Sequence, residues 1–182
     1  QQLQMESGGK SVRVDGRPVK VKTSPILWGG SGSEGQHSYF QLLTQGKRLV
    51  PVDFILPINS SGGHEKDHTI SIADCLSQSE VMMEGYKSED LKLCHPGNKP
   101  SNTIIFKQLN PESLGQLISL YEHKVFVENV IWGTNPFDQF GVELGKTLSN
   151  SLVKESSVDI SYKGSNASTK SLLAKIKIIK EK

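Results

Sequence analysis

Short apolar runs alternate along the chain with longer segments in which apolar residues recur at helical spacing. Three runs have the length and composition of buried strands, at residues 25–28, 48–56 and 102–109. Pro51 cannot donate a ladder hydrogen bond, so it predicts an irregularity in the second strand. Strands separated by helices predict an α/β fold, a three-layer sandwich with a mainly parallel sheet between helices.

Helical periodicity also divides the chain. The predicted helices cover residues 34–45, 67–86, 111–125, 137–152 and 168–179. Asn110 and Pro111 form a typical helix start, an N-cap residue followed by proline at the first helical position. We expect one large domain over residues 1–154 and a C-terminal helical tail over residues 155–182, whose late lysines suit the negative end of a helix dipole.

Composition and charge are those of an ordinary globular protein and exclude several kinds of partner. Hydrophobic residues make up 35% and charged residues 22% of the sequence, and the formal net charge is +2. No basic stripe is interleaved with aromatic residues, so nucleic acid is not expected as a partner. No apolar run approaches the roughly 20 residues that span a membrane, so no membrane is expected either. Cys75 and Cys94 fit neither a metal site nor a disulfide framework and predict reduced thiols in a cytoplasmic protein.

The stretch "ILWGGSGSEGQH" admits two interpretations. Gly30, Gly32 and Gly35 have the G-x-G-x-x-G spacing of a dinucleotide-binding turn, and Asp53 follows Gly35 by 18 residues. However, Asp53 lies within the predicted strand, and Glu34 would bring a negative charge into a turn that receives pyrophosphate. Nucleotide binding therefore remains the less favoured alternative.

His37 ends the same stretch, near the start of the predicted helix 34–45. In open α/β sheets, ligands bind at the loops that leave the carboxyl ends of the strands. The positive end of a helix dipole favours neutral imidazole, which can exchange a proton. His37 is therefore a candidate for proton transfer, the alternative being a solvated or capping histidine.

The segment "WGGSGSEGQHSYFQLLTQG" resembles the W-G-x-x-G-T-N-G-Q-H-x-x-x-Q-L-x-x-Q-G segment of the glucose-6-phosphate isomerase family. Further segments resemble the same family: "MESGGKSV", "VPVDFILP", "PGNKPSNT", "LGQLISLYEHKVFVENVIWG" and "FDQFGVELGK". They keep the family's order and cover nearly the whole chain, which is thus identified as a member. The resemblance implies a flavodoxin-like sugar isomerase domain with a five-stranded parallel sheet.

The resemblance also implies an activity of glycolysis and gluconeogenesis. The family interconverts glucose 6-phosphate and fructose 6-phosphate through a cis-enediol, without a metal or organic cofactor, as a homodimer. Moving a proton between adjacent carbons requires a base that holds the proton and returns it before water takes it. General acid–base help of this kind is worth about 10²–10⁴ in rate.

Five residues match functional positions of the family. Glu6 in "MESGGK" matches the catalytic base, and Lys146 in "GVELGK" matches the lysine that hydrogen-bonds the ring oxygen. His37 matches the histidine that assists ring opening, which reaches the site from the neighbouring subunit. Gln2 and Gln139 match glutamines near the phosphate.

The helical pattern is compatible with these roles. Gln139, Glu143 and Lys146 share one face of the predicted helix 137–152. Seven residues separate Gln139 from Lys146, about 10 Å along a helix axis and comparable to a hexose phosphate. The alternative from the pattern alone is a solvated polar face with a Glu143–Lys146 ion pair.

Departures from the family pattern lie outside these five residues. Lys99 replaces an arginine and loses its bidentate fork. The family's proteins are far longer, and their Ser/Thr-rich phosphate-gripping loop has no counterpart in this sequence. We therefore expect the 182 residues to be the C-terminal part of the enzyme and inactive alone, because much of the substrate binding energy is missing. The alternatives are a sugar-phosphate sensor of the same fold without turnover and a secreted signalling role.

Overall fold

The computed structural model describes residues 1–152 and 166–181. Its helices and strands, in chain order, are α1 (Gln2–Gly8), α2 (Gly32–Gln36), α3 (Phe40–Thr44), β1 (Val52–Asn59), α4 (Glu65–Glu84), β2 (Ser101–Gln108), α5 (Pro111–Trp132), α6 (Phe140–Leu152) and α7 (Ala167–Lys180). A single 3₁₀ turn, Leu91–Leu93, lies between α4 and β2.

The two strands form a parallel pair. Val52 of β1 is paired with Ser101 of β2, and the register continues to Asn59 and Gln108. Helix α4 connects the strands and packs against both of them. Met82 of α4 is fully buried, which places the core between this helix and the sheet. The predicted α/β class with a parallel sheet is confirmed.

The first predicted strand is wrong, and the described residues contain two strands of the expected five. Residues 25–28 have no regular structure. Ile26 is 86% exposed and the run has no strand partner in the described part of the chain, although the Trp28 ring packs edge-on against Tyr39. Four apolar residues alone do not distinguish a buried strand from an apolar loop.

Two other element boundaries differ from prediction for local reasons. The predicted helix 34–45 is split into α2 and α3, because the backbone leaves the helical path at Tyr39, where φ is −141°. Strand β1 begins only at Val52, directly after Pro51, and continues to Asn59. The sequence predicts an irregularity within the strand at this proline, and in the structure the strand instead begins directly after it.

Helix α5 begins as its sequence predicts. The Asn110 side chain accepts a hydrogen bond from the Ser113 amide at 2.9 Å, and the Ser113 hydroxyl accepts one from the Asn110 amide at 3.0 Å. Pro111 occupies the first helical position. At the other end, buried Asn129 donates to the Val125 carbonyl and accepts from the Thr134 hydroxyl at 2.6 Å. Helix α5 therefore has a fixed start and a fixed end.

The last two helices are exposed. Phe140, Leu144 and Leu148 of α6 are 71%, 63% and 56% exposed, so the predicted apolar stripe is uncovered in the described structure. Lys177 and Lys180 lie in the last turn of α7, as predicted. The predicted domain boundary after residue 154 lies outside the described residues. Among the helices of residues 1–152 and 166–181, none is long and apolar enough to cross a membrane.

A hydrogen-bonded tyrosine links α5 to β1 and gives the fold a predicted pH dependence. The Tyr121 hydroxyl donates to the Asp53 carboxylate at 3.0 Å. Burial, followed by the hydrogen bond and the negative charge of Asp53, raises the pKa of Tyr121 to about 12. Since the folded state holds this proton more tightly, the stabilisation is present below the ordinary pKa of about 10 and is lost as pH rises towards 12.

We expect Asp53→Asn to lower the pKa of Tyr121 towards its ordinary value. Ultraviolet titration of the phenolates measures this shift, and Asp67→Asn, an exposed carboxylate of α4, is the control. A phenolate titration identical in Asp53→Asn and the parent protein would show that Asp53 does not control Tyr121.

Candidate active site

Glu6 and Gln2 lie one turn apart on α1 and are joined directly. The Gln2 amide nitrogen Nε2 donates to Glu6 Oε2 at 2.8 Å. Glu6 is half-buried, whereas Gln2 is exposed. The structure thus brings together the predicted base and one predicted phosphate ligand, in a geometry that holds the carboxylate in one orientation.

Helix α1 has only seven residues, so its position depends on contacts with α5. Buried Gln4 donates to Glu128 Oε2 at 2.6 Å and accepts from Lys124 Nζ at 3.1 Å. Lys124 and Glu128 form an ion pair of 2.7 Å on α5 itself. A Cβ atom at Gly8 would lie 3.2 Å from the Ser24 side chain, so glycine permits close packing there. These contacts fix the helix that carries Glu6.

Gln139 lies at the start of α6, next to the segment that Lys10 contacts. Its carbonyl oxygen accepts hydrogen bonds from the amides of Val142 and Glu143 at 2.9 and 3.3 Å. Lys10 Nζ donates to the carbonyl of Asp138, the preceding residue, at 2.6 Å. The C-terminal end of α1 and the start of α6 are therefore adjacent, which places Gln139 near the Glu6 helix.

The predicted helix start at Phe137 is wrong by three residues. The Asn135 side chain accepts from the Phe137 amide at 3.0 Å and donates to the Asp138 carboxylate at 2.8 Å. This side-chain turn replaces a first helical turn, so α6 begins at Phe140. Gln139 consequently lies before the helix rather than on its polar face.

Lys146 lies on α6 and is exposed, as is Glu143. The described residues form no Glu143–Lys146 ion pair. The solvated-face alternative is thus correct about exposure but wrong about the pair. No hydrogen bond of the described residues joins Lys146 to Glu6, so the structure connects Glu6 directly to Gln2 but not to Lys146.

His37 is exposed and follows α2 at its C-terminal end. The predicted location at a helix N-terminus is wrong, because the turn at residues 37–39 ends α2 there. The dipole argument for this residue therefore does not apply. The hydrogen bonds of the described residues do not connect His37 to Glu6, Gln139 or Lys146.

The dinucleotide alternative fails on the structure. A pyrophosphate turn requires a strand before the glycines and a helix after them. Residues 25–28 form no strand, and α2 has only five residues. Asp53 accepts hydrogen bonds from Asn102 at 2.8 Å and from Tyr121, so it links β1 to β2 and α5.

The histidine, cysteine and carboxylate side chains of the described residues decide whether metal or thiol chemistry is available. Within residues 1–152 and 166–181, no three His, Cys, Asp or Glu side chains are grouped closely enough to hold a metal ion. Cys75 and Cys94 are free thiols, and burial raises the pKa of Cys75. A raised pKa keeps this thiol protonated and unreactive at neutral pH.

The fold is shared with a solved isomerase. A crystal structure of a glucose-6-phosphate isomerase from Chlamydia trachomatis matches 98% of this chain with a TM-score of 0.82 and 33% sequence identity. The match covers 34% of that chain. The fold is therefore the α/β fold of a sugar isomerase domain, in agreement with the class predicted from the sequence.

Sequence comparison gives the family. The glucose-6-phosphate isomerase of Beijerinckia indica is 45% identical over 97% of this chain, and that of Pseudomonas fluorescens is 50% identical over 81%. This chain covers 36% and 30% of those proteins, about a third of their length. The model of the phosphoglucose isomerase family matches residues 1–173. The chain belongs to the phosphoglucose isomerase family.

Proposed function

We propose that this chain supplies the proton-transfer part of a glucose-6-phosphate isomerase, which interconverts glucose 6-phosphate and fructose 6-phosphate in glycolysis and gluconeogenesis. The observation that carries the proposal is the family match over residues 1–173, within which the catalytic side chains implied by the motifs are all present. Glu6, His37 and Lys146 are the catalytic residues in this proposal, and Gln2 and Gln139 bind substrate.

The Glu6 carboxylate removes the proton from C2 of the open-chain sugar and returns it to C1 of the cis-enediol. Its half-buried position supports this role, because a proton held away from bulk water is returned before it exchanges. The hydrogen bond from Gln2, 2.8 Å long, orients the carboxylate. In the reverse direction the same group moves the proton from C1 to C2.

Ring opening requires a proton to leave the C1 hydroxyl and another to reach the ring oxygen. We assign this step to His37 and Lys146, with the imidazole contributed by the partner subunit of a homodimer. The exposure of His37 supports this assignment, because an exposed imidazole can reach the site of another subunit. The reaction is proton transfer throughout, so the proposal requires no metal or organic cofactor.

We also propose a reducing compartment, the cytoplasm, for this protein. The support is that Cys75 and Cys94 are both free thiols. The chemistry proposed for Glu6 does not depend on this assignment.

We expect the 182 residues alone to show no isomerase activity. Within the described residues, the chain leaves many large apolar side chains exposed, among them Phe140, Leu144 and Leu148 of α6. Much of its apolar surface is therefore uncovered, including the helix that carries Lys146. The measurement is conversion of fructose 6-phosphate to glucose 6-phosphate by the purified chain.

The positive control is a hybrid enzyme, defined as the Beijerinckia indica isomerase with its matching segment replaced by these 182 residues. We expect the hybrid enzyme to be active, because the replaced segment is 45% identical to this chain. A folded but inactive hybrid enzyme would contradict the proposed function. Turnover by the chain alone would show that the uncovered surfaces are not required.

A further inference from the structure

Lys10 connects two segments that carry proposed site residues, yet it has no role in the proposed chemistry. Its side chain is only 15% exposed, which is unusual for a lysine. It lies two residues beyond the end of α1 and follows the second glycine of "MESGGK". Burying an ammonium group is costly unless its charge and its protons are satisfied.

The Lys10 ammonium is satisfied by three carbonyl oxygens. It donates to the carbonyls of Glu6 at 3.2 Å, of Ser7 at 2.9 Å and of Asp138 at 2.6 Å. Three bonds use all the protons of an ammonium group. The Asp138 carboxylate lies 3.5 Å from Nζ and balances its charge.

Two of these carbonyls belong to the last turn of α1, and the third belongs to the segment before α6. Bonding the last carbonyls of a helix is a common role for a nearby lysine. The hydrogen bond to Asp138 is different, because it joins residues that are 128 positions apart in the sequence. It fixes the residue next to Gln139, whose own carbonyl begins the hydrogen bonding of α6.

We propose that Lys10 is a positioning residue that sets the distance between Glu6 and the start of α6. This inference rests on the proposed function, in which Glu6 is the base and Gln139 binds near the phosphate. The substrate spans the two groups, so a shift of the α6 start would misalign C1 and C2 with the Glu6 carboxylate. A misplacement of about 1 Å can cost about 10²-fold in rate.

The inference is tested with Lys10→Met, Lys10→Arg and a matched control, Lys124→Met. Lys124 also holds α1, through Gln4, and its ammonium hydrogen bonds in the described structure go to Gln4 and Glu128 rather than to the segment before α6. If Lys10 only stabilised α1, both methionine variants would behave alike. Methionine keeps the length and apolar body of the side chain while removing the ammonium.

The first readout is hydrogen–deuterium exchange in the 182-residue chain. We expect faster exchange of the Val142 and Glu143 amides in Lys10→Met than in Lys124→Met, because these amides donate to Gln139. Equal exchange in the two variants would overturn the inference. This readout does not depend on catalysis.

The second readout is catalytic and uses the hybrid enzyme. We expect Lys10→Met to lower kcat by about 10- to 100-fold, and Lys10→Arg to restore part of the loss. We also expect a smaller fraction of the C2 hydrogen to reappear at C1, since a misaligned carboxylate lets water exchange it. This fraction is a property of each turnover and does not depend on how much enzyme is folded.

The outcomes separate this inference from the proposed function. If the hybrid enzyme is active and Lys10→Met leaves unchanged the fraction of C2 hydrogen that reappears at C1, this result would overturn the positioning role. It would leave the proposed function intact. A hybrid enzyme that is inactive with Lys10 present contradicts the proposed function. In that case the exchange rates of Val142 and Glu143 still decide whether Lys10 fixes the start of α6.

Discussion

Glu6→Gln lowers kcat of the hybrid enzyme by about 10²- to 10⁴-fold, with little change in substrate binding. An amide cannot accept and return a proton as a carboxylate does. Glutamine keeps the size of the side chain, and its carbonyl can still accept the hydrogen bond that Gln2 now donates to Glu6 at 2.8 Å. The variant therefore removes the base while preserving the local geometry of α1. Steady-state kinetics and direct binding of the substrate measure the two effects separately.

The matched control for this experiment is Glu122→Gln. Glu122 is an exposed carboxylate of α5 that lies outside the proposed site. We expect this variant to keep the parent kcat. If Glu6→Gln also kept it, Glu6 would not be the base.

Gly85→Ala destabilises the fold by about 3 kcal/mol. Gly85 ends α4 with φ 73° and ψ −165°, a region that is accessible essentially to glycine alone. A Cβ atom there would meet the His95 carbonyl and would lie 2.6 Å from the Gly97 amide nitrogen. Both neighbours are backbone atoms, so relief requires moving the loop that leads into β2.

That loop is hydrogen-bonded to the end of α4 and to the segment that follows α3. The amides of Asn98 and Lys99 donate to the Met83 and Met82 carbonyls, both at 2.9 Å. The ammonium of buried Lys99 donates to the Gly46 carbonyl at 2.6 Å. Among the described residues, the ammonium of this lysine makes one hydrogen bond and its amide makes another. Displacing the loop at Gly85 would disturb all these contacts.

Urea unfolding of the 182-residue chain measures the effect of Gly85→Ala, provided that the slope of the transition is unchanged. The matched control is Gly115→Ala in α5, where the added Cβ would meet nothing within 4 Å beyond the adjacent backbone of its own helix. Alanine stabilises a helix interior by about 1 kcal/mol relative to glycine. We therefore expect Gly85→Ala to lower the urea midpoint of unfolding and Gly115→Ala to raise it. A Gly85→Ala midpoint equal to that of the parent would contradict this account of the turn.

The elements that the sequence predicts well are those with local determinants. Asn110 and Pro111 determine the start of α5, because the N-cap residue and the proline both act within the first turn of the helix. Strand β2 and helix α4 also lie within two residues of their predicted bounds, since each has a long and regular pattern.

Long-range contacts determine the parts that the sequence does not predict. Residues 25–28 are apolar, but a strand forms only where a neighbouring strand offers hydrogen bonds. The apolar pattern of these residues does not show whether such a neighbour is present. The start of α6 depends on the Asn135 turn and on Lys10, which lies 128 residues from its partner Asp138. Lys10 was not identified from the sequence as a site residue. Its place in "MESGGK", four residues after Glu6, is the signal that could have identified it.

The five proposed site residues come from the resemblance rather than from periodicity. Periodicity places Gln139 on a helix face, whereas it lies before α6. The motif nevertheless selects Gln2 and Glu6, which the structure joins by a hydrogen bond. Short motifs therefore identified a neighbouring pair that helical spacing alone would treat as ordinary surface residues.

Hydrogen transfer between the sugar carbons tests most directly whether Glu6 carries the proton. In ordinary water, we expect the hybrid enzyme to carry deuterium from C2 of labelled glucose 6-phosphate to C1 of fructose 6-phosphate, and the Glu6→Gln form to carry none in the same time. Nuclear magnetic resonance of the product measures this transfer. Deuterium at C1 formed at the parent rate by the Glu6→Gln form would contradict the assignment of proton transfer to this chain's first helix.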